Sequence, residues 1–222
     1  EAQQLMLSAA HPQPGDDDRL DLCHLATYTL DDAGTREIDD GISLDDQNGE
    51  VWIWVHIADP ARLIPPGSPL DQEARRRATS LYLADGVLPM LPLSLAAGPL
   101  SLRAGERTAA VSVAVRLDSA GAIADRRIAR SWVRPRYGLT YADGDELIEL
   151  APPGDETLAD LSRLMQLRSR WRRQQGALMF DRMEGRFRRQ EGELSLQLVE
   201  PSPARLMVSE AMLLMGAVVA EF

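Results

Sequence analysis

Apolar and polar positions change their period several times along the chain, and each change marks an element. Residues 51–59 (VWIWVHIAD) are apolar at almost every position and rich in β-branched and aromatic side chains. That density leaves no wet helical face and predicts a buried central strand. Residues 107–117 and 122–133 alternate apolar with polar about the turn Asp118–Gly121, which predicts a β-hairpin with one wet face. Helical spacing governs 70–79, behind Ser68 as N-cap, and 157–175, where Leu158, Leu161, Leu164, Met165 and Leu167 gather on one side. A second hairpin is expected from strands near 179–187 and 193–200. Residues 204–222 are so rich in Leu, Met, Val and Ala that a helix buried on most sides follows.

The connections read as clearly. Pro89 and Pro92 hold an extended segment behind Tyr82, a rigid mount for that ring. The stretch LTYADGDEL around Tyr141 starts a short helix or turn, and PPGD at 152–155 is a flexible link. Residues 1–18, ending in PQPGDDD, read as a linker or the tail of a preceding module, so regular structure is expected from about Leu20. The apolar helix runs to Phe222 without a cap, which predicts packing partners in further residues. His56, inside the central strand, is expected to be a core histidine bonded to a neighbouring backbone group.

At 222 residues and 45% hydrophobic content the chain can bury a sizeable core. No apolar run approaches the roughly 20 residues of a membrane span, and EAQQLMLSAAHPQP lacks the basic start of a signal peptide, so a cytoplasmic, membrane-free protein is expected. One cysteine, Cys23, forbids an internal disulfide, and the three histidines have no zinc-site spacing. The net charge of −10 argues against a polyanionic partner until its distribution is counted. Residues 1–60 hold a balance of −12, and the remainder a balance of +2. Every cation is arginine, a residue that forks onto phosphate and stacks on bases, and a basic edge runs through Arg126, Arg127, Arg130, Arg134 and Arg136. The densest positive stretch, 163–189, sets nine Arg against Asp181 and Glu184.

The chemistry concentrates in TLDDAGTREIDDGISL, residues 29–44, where Asp31, Asp32, Glu37, Asp39 and Asp40 share a short stretch with Arg36. Carboxylates so close repel one another, and a divalent cation removes the conflict. Oxygen ligands suit Mg²⁺ first and Mn²⁺ next, with open positions for water or substrate phosphate. Leu30, Ile38 and Ile42, interleaved among the acids, are apolar anchors that a solvated loop would not need. A calcium loop of the EF-hand type fails, because positions three and five counted from Asp31 are Ala33 and Thr35.

Read in order, TLDDAGTREIDDGIS, WVHIADP, GSPLDQEARRRATSLYL, VLPMLPLSL, LTY, GALMF and VSEAM resemble the ribonuclease II and ribonuclease R family, from about Arg19 to Phe222. The resemblance implies an α+β fold with a mixed, largely antiparallel sheet and flanking helices. Residues 19–222 would be the N-terminal part of the catalytic (RNB) domain. It also implies a processive 3′-to-5′ hydrolytic exoribonuclease, with Asp31, Glu37, Asp39 and Asp40 at a two-metal site and Glu37 standing where the family usually has Asp. Tyr82 and Phe180 match an aromatic pair that clamps the last nucleotides of single-stranded RNA. Tyr141 matches a substrate-selecting tyrosine, and Glu210 matches one of two adjacent acids whose first member is here Ser209. The family's arginine at the scissile phosphate and its flanking OB-type barrels come from other segments. A monomer that degrades RNA slowly on its own is therefore expected. The competing expectation is an RNA-binding protein on a degenerate scaffold, and an acidic calcium-binding protein is a distant third.

Overall fold

The computed structural model describes residues 1–84, 86–180, 183–190 and 193–222. In chain order the elements are α1 (Ala2–Ser8), β1 (Leu20–Asp21), β2 (Tyr28–Asp31), β3 (Asp40–Gln47), β4 (Glu50–Ala58), α2 (Pro69–Arg77), β5 (Leu81–Leu83), β6 (Gly86–Leu88) and α3 (Leu93–Ala96). They continue with β7 (Thr108–Leu117), β8 (Ile123–Val133), β9 (Tyr137–Thr140), α4 (Tyr141–Leu150), α5 (Thr157–Gln174), β10 (Glu184–Gln190), β11 (Glu193–Val199) and α6 (Pro203–Ala220).

Seven strands form one sheet in the order β1-β8-β7-β4-β3-β2-β9, antiparallel except for the outer pairs β1–β8 and β2–β9. The expected central strand is β4, and it is buried on both faces. Ile53 and Val55 point into a core closed by α5 and α6, together with Tyr28, Leu30, Ile42, Leu161, Met165, Met207 and Leu214. Trp52 and Trp54, one residue out of phase, lie in a second core with Leu22, Leu25, Leu102 and Val133 on the opposite face. His56 is fully buried on the Trp side and is bonded to side chains, not to the expected backbone group: its Nε2 lies 2.9 Å from Ser43 Oγ and its Nδ1 2.7 Å from Ser112 Oγ. Ser112 Oγ is in turn hydrogen-bonded to Ser131 Oγ, so one polar chain crosses β3, β4, β7 and β8. Burial pushes the imidazole down to about 3, which keeps it neutral.

Four further expectations need correction. The β7–β8 hairpin forms, but its wet face is confined to β8. Strand β7, between β4 and β8, is covered on both sides: Ala110 and Ala114 are small enough to pack under the tryptophan layer, and Val113 and Val115 enter the first core. Regular structure begins before Leu20: α1 lies within residues 1–18, and Leu5 and Ala9 pack with Leu63, Leu95 and Leu100 in a third core. Asp16 holds that segment down, accepting from Arg62 Nη2 at 2.8 Å, and Arg62 keeps its carboxyl at about 2. The PPGD link is pinned, since Asp155 accepts from Tyr28 Oη at 2.6 Å and Tyr137 Oη at 3.2 Å. Finally, α6 buries one stripe (Ala204, Met207, Val208, Ala211, Leu214, Val218) and leaves Leu213 and Val219 nearly half exposed. It is long and apolar enough to cross a membrane by length and composition, yet that stripe lies in the first core. The second hairpin forms as β10–β11, its expected first strand crossing Asp181 and Arg182, which lie outside the described residues.

Candidate active site

Apolar anchors carry the acids to their places. Leu30 and Ile42 are buried in the first core, which fixes Asp31 at the end of β2 and Asp40 at the start of β3. Ile38 packs against the second core, and its backbone is held from both sides: Ile38 N donates to Ser101 Oγ at 3.1 Å and Ile38 O accepts from Leu102 N at 2.8 Å. Glu37 and Asp39 flank that clamp. Asp39 O accepts from Ala58 N at 2.8 Å, tying the loop to the end of β4.

The second wall comes from 110 residues further along the chain. Strand β9 runs parallel to β2, with Asp31 opposite Thr140, so the next residue, Tyr141, begins α4 beside the carboxylates. Thr140 and Asp143 form a reciprocal capping box that starts the helix. Gly144 lets α4 approach β2, since a Cβ there would stand 2.4 Å from Leu30 Cδ2. At the first turn of α6, Arg205 pairs with Asp32 and lays its guanidinium 4.1 Å from the Tyr141 ring centre. Across the cleft, Tyr82 sits in the small β5–β6 hairpin opposite Val87, 69% exposed. Two bonds hold the base of this hairpin: Ser80 Oγ accepts from Met90 N at 2.9 Å, and Pro89 O accepts from Arg77 Nη1 at 2.7 Å.

The carboxylates feel one another. Burial and the charges of Asp31 and Asp39 push Asp40 up to about 7. Burial, then Asp31, raises Asp39, while burial, then Asp39, raises Glu37, and one oxygen of Glu37 is buried without a hydrogen-bond partner. Burial, with Glu37, Asp39 and Asp31, raises the Tyr82 hydroxyl, and burial with Asp31 and Asp40 pushes Tyr141 up to about 12. Six of the sequence-derived residues, Asp31, Glu37, Asp39, Asp40, Tyr82 and Tyr141, thus share one electrostatic neighbourhood. Phe180 follows α5 in the segment before β10 and is 72% exposed. Glu210 is elsewhere: it is 1% exposed between α5 and α6, where its carboxylate accepts from Arg172 Nε at 2.7 Å. The sequence reading did not pick out Arg205, Asp32 as its partner, or Ser80. A Thr-x-x-Asp cap before the helix of Tyr141 was the one signal available for this wall.

The donor chemistry fits a hard divalent cation, with oxygen ligands only, mutual repulsion and an orphaned buried carboxylate oxygen. The side-chain positions are not yet a cage. Among the described residues no three His, Cys, Asp or Glu side chains converge on a point that could hold an ion.

These carboxylates, flanked by the exposed Tyr82 and the partly buried Tyr141, lie within residues 19–222, which match the RNB domain, and the chain belongs to that family. Two relatives are close in sequence. An uncharacterized ribonuclease of Synechocystis is 44% identical over 213 residues, covering 95% of this chain and 32% of the relative. The chloroplastic/mitochondrial ribonuclease II of Arabidopsis thaliana is 42% identical over 211 residues, covering 92% and 26% respectively. Ribonuclease R of Mycoplasma genitalium, solved in complex with ribose-methylated single-stranded RNA, shares the fold with a TM-score of 0.80 at 20% identity, over 95% of this chain and 37% of that one. The chain therefore spans about a third or less of its sequence relatives' length.

Proposed function

We propose that this chain carries the metal-binding part of a hydrolytic 3′-to-5′ exoribonuclease that acts on single-stranded RNA and releases nucleoside 5′-monophosphates. One observation carries the reading: carboxylates from β2, the following loop and β3 are packed closely enough to raise one another's affinity for positive charge. Asp31, Asp39, Asp40 and Glu37 are the residues that would hold Mg²⁺ or Mn²⁺. Such ions polarise the phosphodiester and supply a water of lowered pKa.

The remaining work falls to the protein. Asp39 would orient an attacking water. Tyr141, its hydroxyl raised to about 12, stays protonated at neutral pH and can donate to a phosphate or ribose oxygen. Tyr82 offers an open ring face for base stacking, worth roughly 1–3 kcal/mol per base and indifferent to sequence. Phe180, equally exposed, is the second such face. The family relationship and the named ribonucleases support the reading.

The test is a 3′-labelled single-stranded RNA incubated with the protein and Mg²⁺ or Mn²⁺. EDTA-sensitive release of nucleoside monophosphates, lost in Asp40→Asn, is the expected result. Retarded but intact RNA under all metal conditions would instead support an RNA-binding scaffold without catalysis, a reading favoured by Glu37 and Ser209, which depart from the family's usual acids.

A further inference from the structure

An acidic chain that holds RNA needs cations placed to meet its phosphates, and the arginines of the basic edge divide into two groups. Arg126 pairs with Glu221, Arg130 lies 3.7 Å from Asp18, and Arg127 stacks 4.1 Å from the Trp52 ring centre. Arg134 and Arg136 are exposed and have no carboxylate partner among the described residues, although the Arg136 guanidinium also lies 5.3 Å from the Tyr137 ring centre. Both line a cavity of about 280 Å³ together with Cys23, His24, Gly105 and Pro135.

The cavity wall is backbone held by the sheet. Arg136 N donates to Thr27 O at 2.8 Å, and Gly105 N donates to Pro135 O at 2.8 Å. Nearby acids are occupied. Glu106 pairs with Arg103 at 3.1 Å, and Asp21 accepts from Cys23 N at 2.9 Å within the field of Arg107. Two guanidiniums and an imidazole around a small cavity suit a phosphate with its sugar, below the usual size of a larger organic ligand. The position is informative as well. Ala26 and Arg136 precede the parallel strands β2 and β9, whereas Asp31 and Tyr141 lie at their far ends, roughly 15 Å away at about 3.3 Å per residue. Edge strand β9 joins the two places.

We propose that this cavity binds a backbone phosphate of the same single-stranded RNA whose 3′ end enters the acidic cleft, an inference that rests on the function proposed above. Cys23, the chain's single cysteine, is a built-in reporter. Its alkylation by iodoacetamide is followed in EDTA with oligoadenylate of about 12 nucleotides, adenosine monophosphate or inorganic phosphate as probe, alongside fluorescence-anisotropy binding of the oligomer.

The oligomer is expected to slow alkylation about fivefold in the unmodified chain and not in R134A/R136A, which binds it about tenfold more weakly. The salt dependence should become shallower by about 1.4 in log–log slope, for two phosphate contacts on a single strand. R134K/R136K should retain most of the binding, and unchanged melting of both variants shows that the fold is intact. D40N should keep the protection of Cys23 even where it abolishes cleavage, which separates this site from the cleft. Equal protection and affinity in R134A/R136A would overturn the proposal. Protection by adenosine monophosphate or phosphate, with oligomer affinity independent of the two arginines, would reassign the cavity to free phosphates and overturn the backbone assignment. Loss of Cys23 protection in D40N would tie the effect to the cleft and overturn the cavity as a separate site.

Discussion

Replacing Asp40 by Asn should stabilise the protein, and only where the native carboxyl would be charged. The carboxyl has its ordinary value of 3.8 in the unfolded chain and about 7 in the fold. The folded state therefore binds the proton more tightly, and stability falls as pH rises between those two values. The full cost above the upper value is at most about 4 kcal/mol. The carboxyl stands in an open cleft where water and rotation relieve part of it, so roughly 2 kcal/mol is the working figure. For a chain of this size that corresponds to a melting point about 4–8 °C higher for Asp40→Asn near pH 8, and to little difference near pH 3, where the carboxyl is largely protonated in either state. Thermal unfolding followed by circular dichroism in EDTA, without phosphate, reads this directly. Asp39 and Glu37, raised for the same reasons, push the native protein in the same direction. A variant that melts at or below the native protein at both pH values would show that Asp40 is not held under electrostatic stress, and the argument for a cation there would fall with it.

The other expectations follow from the same geometry. Mg²⁺ or Mn²⁺ near pH 7 should raise the melting point of the native chain and release protons measurable by calorimetry, with weak affinity until RNA phosphate completes the coordination; Asp40→Asn should lose most of the effect. Tyr82→Ala should leave the melting point unchanged, because the ring is exposed, and weaken single-stranded RNA binding by roughly 1–3 kcal/mol in an anisotropy titration. Glu210→Gln should cost roughly 3 kcal/mol in urea unfolding, since Arg172 loses the charge it is buried against. It should leave RNA affinity per folded molecule unaltered, and a large loss of affinity would mean that Glu210 reaches substrate after all. Gly144→Ala should slow cleavage or weaken binding by displacing α4 from Leu30 and Tyr141 from the cleft.

Much of the architecture was legible because local pattern and tertiary role agree. The density of VWIWVHIAD announces a strand covered on both faces, and Ser68, read as an N-cap, accepts from Asp71 N at 3.2 Å. The interleaving of Leu30, Ile38 and Ile42 with acids announces anchored carboxylates, and all three anchors lie in or against a core. What escaped depends on pairs distant in sequence. Asp16 looks like a linker charge until Arg62 is beside it, and PPGD looks loose until two tyrosine hydroxyls converge on Asp155. The wet face expected of β7 was lost because periodicity cannot tell which hairpin strand lies inside a larger sheet. Glu210 shows the reverse limit: a motif position can be matched in sequence while the side chain turns to a helix neighbour.

The serine and histidine hydroxyl–imidazole chain through Ser43, His56, Ser112 and Ser131 has a bearing on how the cleft can work. Its imidazole takes a proton only near pH 3, far below the range in which Asp40 titrates. Strands β3 and β4 are thereby held in alignment by bonds that do not change as Asp40 titrates. The floor beneath the carboxylates therefore keeps its shape while Asp40 gains and loses its proton.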